Sequence, residues 1–233
     1  MEMSSEGKSS LRMTRSENVS EGVSHGVFRK RWGSRRLPER TLMTARTTSS
    51  LFLDFSRTKL ADQYWPRMKQ AVESLTDEQV WWRPNDASNS VGNLMLHLNG
   101  NMTQWLLASF SHERDVRNRP EEFAAGRGGA PPDAGRRRPA LPTRDELIAR
   151  LGATVEHAAQ MLERLTEQDL LATYTIQGFT VSGLQAVYQV IEHFALHHGQ
   201  VLYIVKQLEG KDLGFTKAQL DEKGYARATK STP

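Results

Sequence analysis

His193 and His197 stand four residues apart in the run 191–203, and His198 follows immediately. In a helix that turns about 100° per residue, a spacing of four places two side chains about 40° apart on one face, with roughly 6 Å of rise between them. Two imidazoles so placed can grip one metal ion. His198 lies about 100° round from His197 and cannot join that pair without distortion, so it is expected as a pocket wall or a partner to the ligands. His97 sits beside an apolar stripe of an earlier segment. If the two segments are neighbours, His97, His193 and His197 converge and leave a coordination position open. Three protein ligands plus water is the catalytic style of site, whereas a structural site is closed. Spacing alone leaves a second reading open, in which these are ordinary core and interface histidines.

Four helical patterns have to position these residues, and no convincing alternation of period two accompanies them. The first runs from about residue 50 to 75 with Leu51, Phe55, Leu60, Trp65, Met68, Val72 and Leu75, and Pro66 is expected to kink it. The second runs from about 90 to 110. Ser88, Asn89 and Ser90 offer N-caps, Val91, Leu94, Met95, Leu98, Met102, Trp105 and Leu106 form an apolar stripe, and Asn93, His97, Asn101 and Gln104 form a polar stripe beside it. A long loop, 111–142, is rich in Gly and Pro and carries Arg136 to Arg138; such a stretch is either disordered or a lid. A capping-box pattern at Thr143 and Glu146 opens the third helix, which runs through Leu147, Leu151, Val155, Ala158, Leu162 and Leu165. A short connection, 174–181, leads to the histidine helix, whose Val187, Val190, Ile191, Phe194, Val201, Leu202 and Val205 recur at three- and four-residue intervals until Gly210. Four long helices with one polar seam predict an all-α four-helix bundle over residues 50–215, followed by a tail, 216–233.

Composition sets the outer limits. The chain has 233 residues, 38% of them hydrophobic, which suits one domain plus appendages. It contains no apolar run of about eighteen residues and no apolar stretch near the amino terminus, so a cytoplasmic location away from membranes is expected. Cysteine is absent, which excludes disulfides, thiolate metal sites and a cysteine nucleophile. A metal must therefore be held by nitrogen and oxygen, and a reactive thiol must arrive with a substrate. The formal net charge of +4 belongs to residues 1–42, with nine Lys or Arg against five Asp or Glu, while 43–233 carry 22 of each sign. Residues 1–49 read as a disordered basic leader, and Met43, just before the first regular pattern, makes an over-long start an attractive account of it. Nucleic-acid binding through this leader is the less favoured alternative.

The run from His193 through His197, Gly199 and Gln200, with Leu94-Met-Leu-His97-Leu98 upstream, resembles the DinB/YfiT-like superfamily of metal-dependent enzymes. The blocks Trp81-Trp-Arg-Pro84, Ser88 to Leu94, Asn101 to Trp105, Arg117 to Phe123 and Gly210 to Phe215 make it similar to an uncharacterised branch of that superfamily, over residues 51–215. The resemblance implies an up-down-down-up four-helix bundle, often a homodimer, with nickel or zinc held by His97, His193 and His197. It further implies a small-molecule substrate and chemistry of one of three kinds: transfer of a low-molecular-weight thiol such as bacillithiol or mycothiol, thiol-dependent isomerisation, or hydrolysis. His198 departs from the Arg or Thr of many relatives, which affects details around the ligands and not the ligands themselves.

Chemistry narrows the choice. A metal held by three neutral imidazoles keeps its full charge and acidifies whatever takes the open position, water or thiol. Hydrolysis also asks for a carboxylate base. Glu192 is nearest in sequence but points about 100° from His193, which favours a surface role. A thiol gives its proton to solvent and needs no base, so an S-transferase in stress or detoxification chemistry is the expected function. A metal-dependent hydrolase and a non-catalytic, metal-binding or structural dimeric bundle are the alternatives. Gln200, Asn101 and Gln104 could orient the imidazoles or a substrate, or merely cap buried polar groups. Arg114, Arg117 and Arg119 could hold the carboxylates of a thiol cosubstrate; a salt-bridge cluster with Glu113, Asp115, Glu121 and Glu122 is the preferred reading. Trp81, Trp82, Trp105 and Phe179 are aromatic enough for a pocket wall, though at helical spacing such residues more often belong to the core. No phosphate loop or serine-nucleophile motif occurs.

Overall fold

A small hydroxyl side chain opens each long helical stretch by accepting a hydrogen bond from the first exposed backbone N–H groups. The structure, a computed structural model, describes residues 46–111, 114–127 and 140–215. Residues 1–45 of the leader expected over 1–49, together with Arg136 to Arg138 and the tail 216–233, lie outside the described residues, and Thr48 and Ser49 already belong to the first helix. Thr47 caps α1 (Thr48–Arg57), Ser90 caps α4 (Val91–Met102), Thr143 caps α7 (Arg144–Arg164) and Ser182 caps α9 (Gly183–Glu209). In the last three, the third residue returns the hydrogen bond as a capping box, with Asn93, Glu146 and Gln185 in that role.

The first and second predicted helices are each continuous but not uniformly α. α1 passes through a π-helical stretch, Thr58–Tyr64, into α2 (Trp65–Glu73), and the disturbance expected at Pro66 takes this form. Proline lacks an N–H and its ring crowds the carbonyl four residues back; the wider turn relieves this, and the Trp65 N–H bonds to Leu60 five residues back. After the short α3 (Asp77–Val80), α4 likewise widens at Thr103–Ala108 before the single turn α5 (Ser109–Ser111).

The loop expected over 111–142 is interrupted by α6 (Arg119–Ala124), which packs against α4. Its sequence, a proline in the first turn followed by Glu121 and Glu122, suits a helix amino terminus. The connection 174–181 is a second departure. After α8 (Glu167–Leu171) the chain forms an antiparallel hairpin of β1 (Thr173–Ile176) and β2 (Phe179–Ser182), closed by Gln177 and Gly178 at φ 54° and 82°. Two left-handed residues give a turn whose twist matches paired strands. Four-residue strands are too short to declare a period of two.

The apolar stripes converge as predicted. α1 and α2 pack on α7 and α9, and α4 packs on the same two helices, giving a helical bundle whose buried centre includes Leu60, Met68, Met95, Leu98, Leu151, Val190 and Phe194. No helix among the described residues is long and apolar enough to cross a membrane. The joint between α8 and α9 is tight: the Gly183 N–H bonds to Ala172 at 2.9 Å, and a Cβ at Gly183 would overlap the Asp169 carbonyl oxygen. Gly183→Ala is therefore expected to cost about 1–3 kcal/mol, because backbone cannot swing aside as a side chain can. Denaturant titration measures it, and an unchanged midpoint would show that α8 yields freely.

Candidate metal centre

α4 and α9 are neighbours, so the polar stripe of α4 meets the histidine face of α9. His97 of α4 and His193 of α9 approach Nε2 to Nε2 at 2.9 Å, and the ring centroids of His97, His193 and His197 lie 4.5 to 5.1 Å apart. One nitrogen from each ring falls within 4.8 Å of the others, so the three could hold a metal ion. His97 is buried and the other two are partly open to solvent.

Two of the rings are held from behind. His97 Nδ1 is 2.8 Å from Glu122 Oε2 and 3.0 Å from Arg117 Nη2. A carboxylate can only accept, and Arg117 Nη2 has Glu122 Oε2 as its own acceptor at 2.8 Å, so the network assigns the imidazole proton to Nδ1. That leaves the Nε2 of His97 as a bare lone pair facing the centre. The Nδ1 of His197 contacts the Gln200 Oε1 at 2.7 Å; the amide oxygen accepts, and the Nε2 of His197 is bare in its turn. Lone pairs converging on one point repel unless a cation or a proton sits among them. The residues present therefore fit a divalent metal.

Glu122 is the residue that the sequence reading placed in a salt-bridge cluster with the arginines, which its pairing with Arg117 agrees with, and not beside His97. It is buried with Arg117, whose Nε donates to its Oε1 at 2.7 Å. Burial pushes the Glu122 carboxyl up, but the hydrogen bonds and charges of Arg117 and His97 outweigh it and leave its pKa below the ordinary value. Phe123 was also missed, and its ring centroid lies 4.7 Å from that of His97. The usable signal was the helix-start pattern of Arg119 to Glu122, which brings both residues back over α4.

The remaining expected residues separate clearly. Arg117 is engaged by Glu122 and by the Gln104 Oε1 at 3.0 Å, while Arg119 lies over Phe123 with its guanidinium carbon 5.2 Å from the ring centre. Arg114 and Glu192 are exposed. Gln104 also bonds to Asp115 and to Gln177 of the hairpin tip, so it holds Arg117 rather than an imidazole. Asn101 is buried with its Oδ1 unpartnered. His198 faces away from the triad, with its ring 5.3 Å from that of Tyr64 and its buried Nε2 unpartnered. Trp105 is core, Trp81 packs against Gly92 and donates to the Pro142 carbonyl, and Trp82 and Phe179 are exposed; none of the four makes a ring contact with the triad.

Burial pushes the His193 pKa down to about 3, helped by His197, His97, Arg117 and Arg119, and burial with Arg67 pushes His198 down to about 4. Both folded values lie below the unfolded value of about 6.5, so the unfolded chain takes up protons that the folded one refuses. Metal-free protein should thus be most stable above about pH 6.5 and lose stability steadily toward pH 4. Thermal melts in chelator across that range test it, and a flat profile would show that the rings titrate freely in the fold.

A sequence profile of the family described as "Protein of unknown function (DUF1572)" matches residues 47–217. No curated protein matches the chain. Solved structures do match, among them the "Crystal structure of the conserved protein of locus from Enterococcus faecalis", with a TM-score of 0.53 and 19% identity over 68% of this chain and 97% of that one. That likeness is one of fold.

Proposed function

The chain belongs to the DUF1572 family, and from that starting point we propose that it is a divalent-metal-dependent enzyme, a small-thiol S-transferase whose nickel or zinc is held by His97, His193 and His197. The observation that carries the reading is the convergence of three imidazoles, two of which have Nδ1 engaged and so keep Nε2 as the nitrogen free to bind. When bound, the metal would supply the charge that lowers the pKa of a thiol or water at its remaining position. The chain's own residues prepare the place. Glu122 keeps the His97 proton on Nδ1, Arg117 keeps Glu122 ionised, Gln200 fixes the His197 ring, and Phe123 covers one flank of His97.

Thiol transfer is favoured over hydrolysis by what the carboxylates are doing. Among the carboxylates of the described residues, Glu122 alone hydrogen-bonds to a triad ring, and its oxygens are taken by His97 and Arg117; Glu192 is exposed and bonds to none of the three. Neither is placed as a general base. An up-down-down-up DinB/YfiT-like topology agrees with a bundle in which α4 and the α1–α2 stretch each pack on both α7 and α9. A cytoplasmic homodimer belongs to the same reading, supported by the exposed Leu184, Tyr188, Leu196 and Tyr203 along α9.

Metal-loaded protein is expected to accelerate conjugation of bacillithiol, mycothiol, glutathione or coenzyme A to a halogenated aromatic, and metal-free protein to be inert. With no cysteine in the chain, no protein thiol contributes a background. Ester or amide hydrolysis without thiol turnover would replace this reading with a hydrolase, and neither activity with metal bound would leave a non-catalytic bundle.

A further inference from the structure

The arginines beside the centre have different neighbours, and the difference bears on which substrates the site accepts. Arg117 has a side chain only 3% exposed and is neutralised by Glu122, one carboxylate oxygen accepting from Nε and the other from Nη2. It has no charge left for a ligand. Arg119 is exposed, forms no ion pair or hydrogen bond among the described residues, and yet is not adrift: it lies over Phe123, whose ring in turn lies against His97. Arg114 is exposed too but has no such anchor.

A guanidinium held over a ring by its charge spends none of its N–H groups on that contact. Those groups form a planar fork that matches two oxygens of one carboxylate or phosphate. A like charge beside a metal site weakens metal binding, so a cation anchored two ring contacts from a ligand needs another use. We propose that Arg119 is a substrate-recognition residue of the metal centre, taking an anionic oxygen group, carboxylate or phosphate, on the same small molecule whose thiol reaches the triad of His97, His193 and His197. The inference rests on the metal-dependent thiol reading given above. It adds that the preferred thiols are acids, and that Arg119 rather than Arg117 or Arg114 selects them.

The test uses the full chain loaded with cobalt(II), which reports thiol capture by thiolate-to-cobalt charge-transfer absorption. Two probes of similar reach are titrated: 3-mercaptopropionate, with a carboxylate, and 2-mercaptoethanol, with a neutral end. Wild-type protein should bind the acid about tenfold more tightly, the scale of one charge-assisted hydrogen-bond pair. Arg119→Gln should erase that preference while cobalt affinity stays the same or tightens, and Arg119→Lys should keep part of it, since charge survives and the fork does not. Inorganic phosphate added as competitor tells the two oxygen groups apart: displacement of the acid from wild type admits phosphate, and no displacement narrows the group to carboxylate. Equal binding of both thiols by wild type, or a preference that survives in Arg119→Gln, overturns the role of Arg119. A general packing role is also separable, because it would move cobalt affinity and 2-mercaptoethanol binding together with the acid. Failure of the underlying reading looks different: no cobalt spectrum before thiol is added sinks the metal site, and a cobalt spectrum that no thiol alters sinks thiol capture, and Arg119 as a thiol selector falls with either.

Discussion

His193→Ala or His197→Ala is expected to reduce bound divalent metal from an expected one ion or so per chain to near zero, because a three-ligand site with one imidazole removed keeps only two donors. Elemental analysis of protein purified without added chelator measures this directly. His157→Ala is the matched control, since that ring is exposed on α7 and makes no contact with the triad. Both ligand variants are expected to keep their helical circular dichroism: His193 and His197 are only partly buried, and neither belongs to the apolar centre that holds α4 to α9. Full metal occupancy in a variant lacking all three histidines would end the case for this site.

Glu122→Ala should be the most damaging single substitution near the centre, and it should damage two properties at once. The Arg117 and Glu122 side chains are 3% and 9% exposed, so loss of the carboxylate leaves a buried guanidinium without its partner, at a cost of about 3–5 kcal/mol. His97 also loses the acceptor that fixes its proton on Nδ1, which is expected to weaken metal binding about 10- to 100-fold. The two effects can be separated. Replacing Arg117 and Glu122 together by leucine removes the buried charges as a pair, so most of the stability should return while metal affinity stays low. Denaturant midpoints and competitive metal titration read the two quantities independently. If Glu122→Ala alone binds metal as tightly as wild type, Glu122 has no part in orienting His97.

These two cases differ in how far the sequence discloses them. His193 and His197 are legible because helical spacing is local: four residues fix an angle of about 40° whatever the rest of the chain does. His97 is nearly so, since its stripe marks a face of α4, and the three- and four-residue recurrence of apolar positions in α4 and α9 says that those faces turn inward. The long helices, the capping box at Thr143 and an N-cap among Ser88 to Ser90 are likewise written in short patterns.

The partner of His97 is not written locally. Glu122 lies 25 residues further along, beyond a change of direction after α5, and nothing in the intervening composition distinguishes it from Glu113, Asp115 or Glu121. Only the return of α6 across α4 selects Glu122 for burial with Arg117 and leaves Arg119 outside, over Phe123. The hairpin at Thr173–Ser182 is hidden because four-residue strands carry too little pattern; of the two π-helical stretches, Pro66 announces a disturbance at the first, while the second, Thr103–Ala108, contains no proline to mark it. The sequence by itself determined the four long helical stretches, the histidine pair and the absence of any protein thiol. Tertiary structure decided which carboxylate orients His97 and which arginine keeps a free charge, because desolvation and pairing depend on distances between segments that no local repeat encodes.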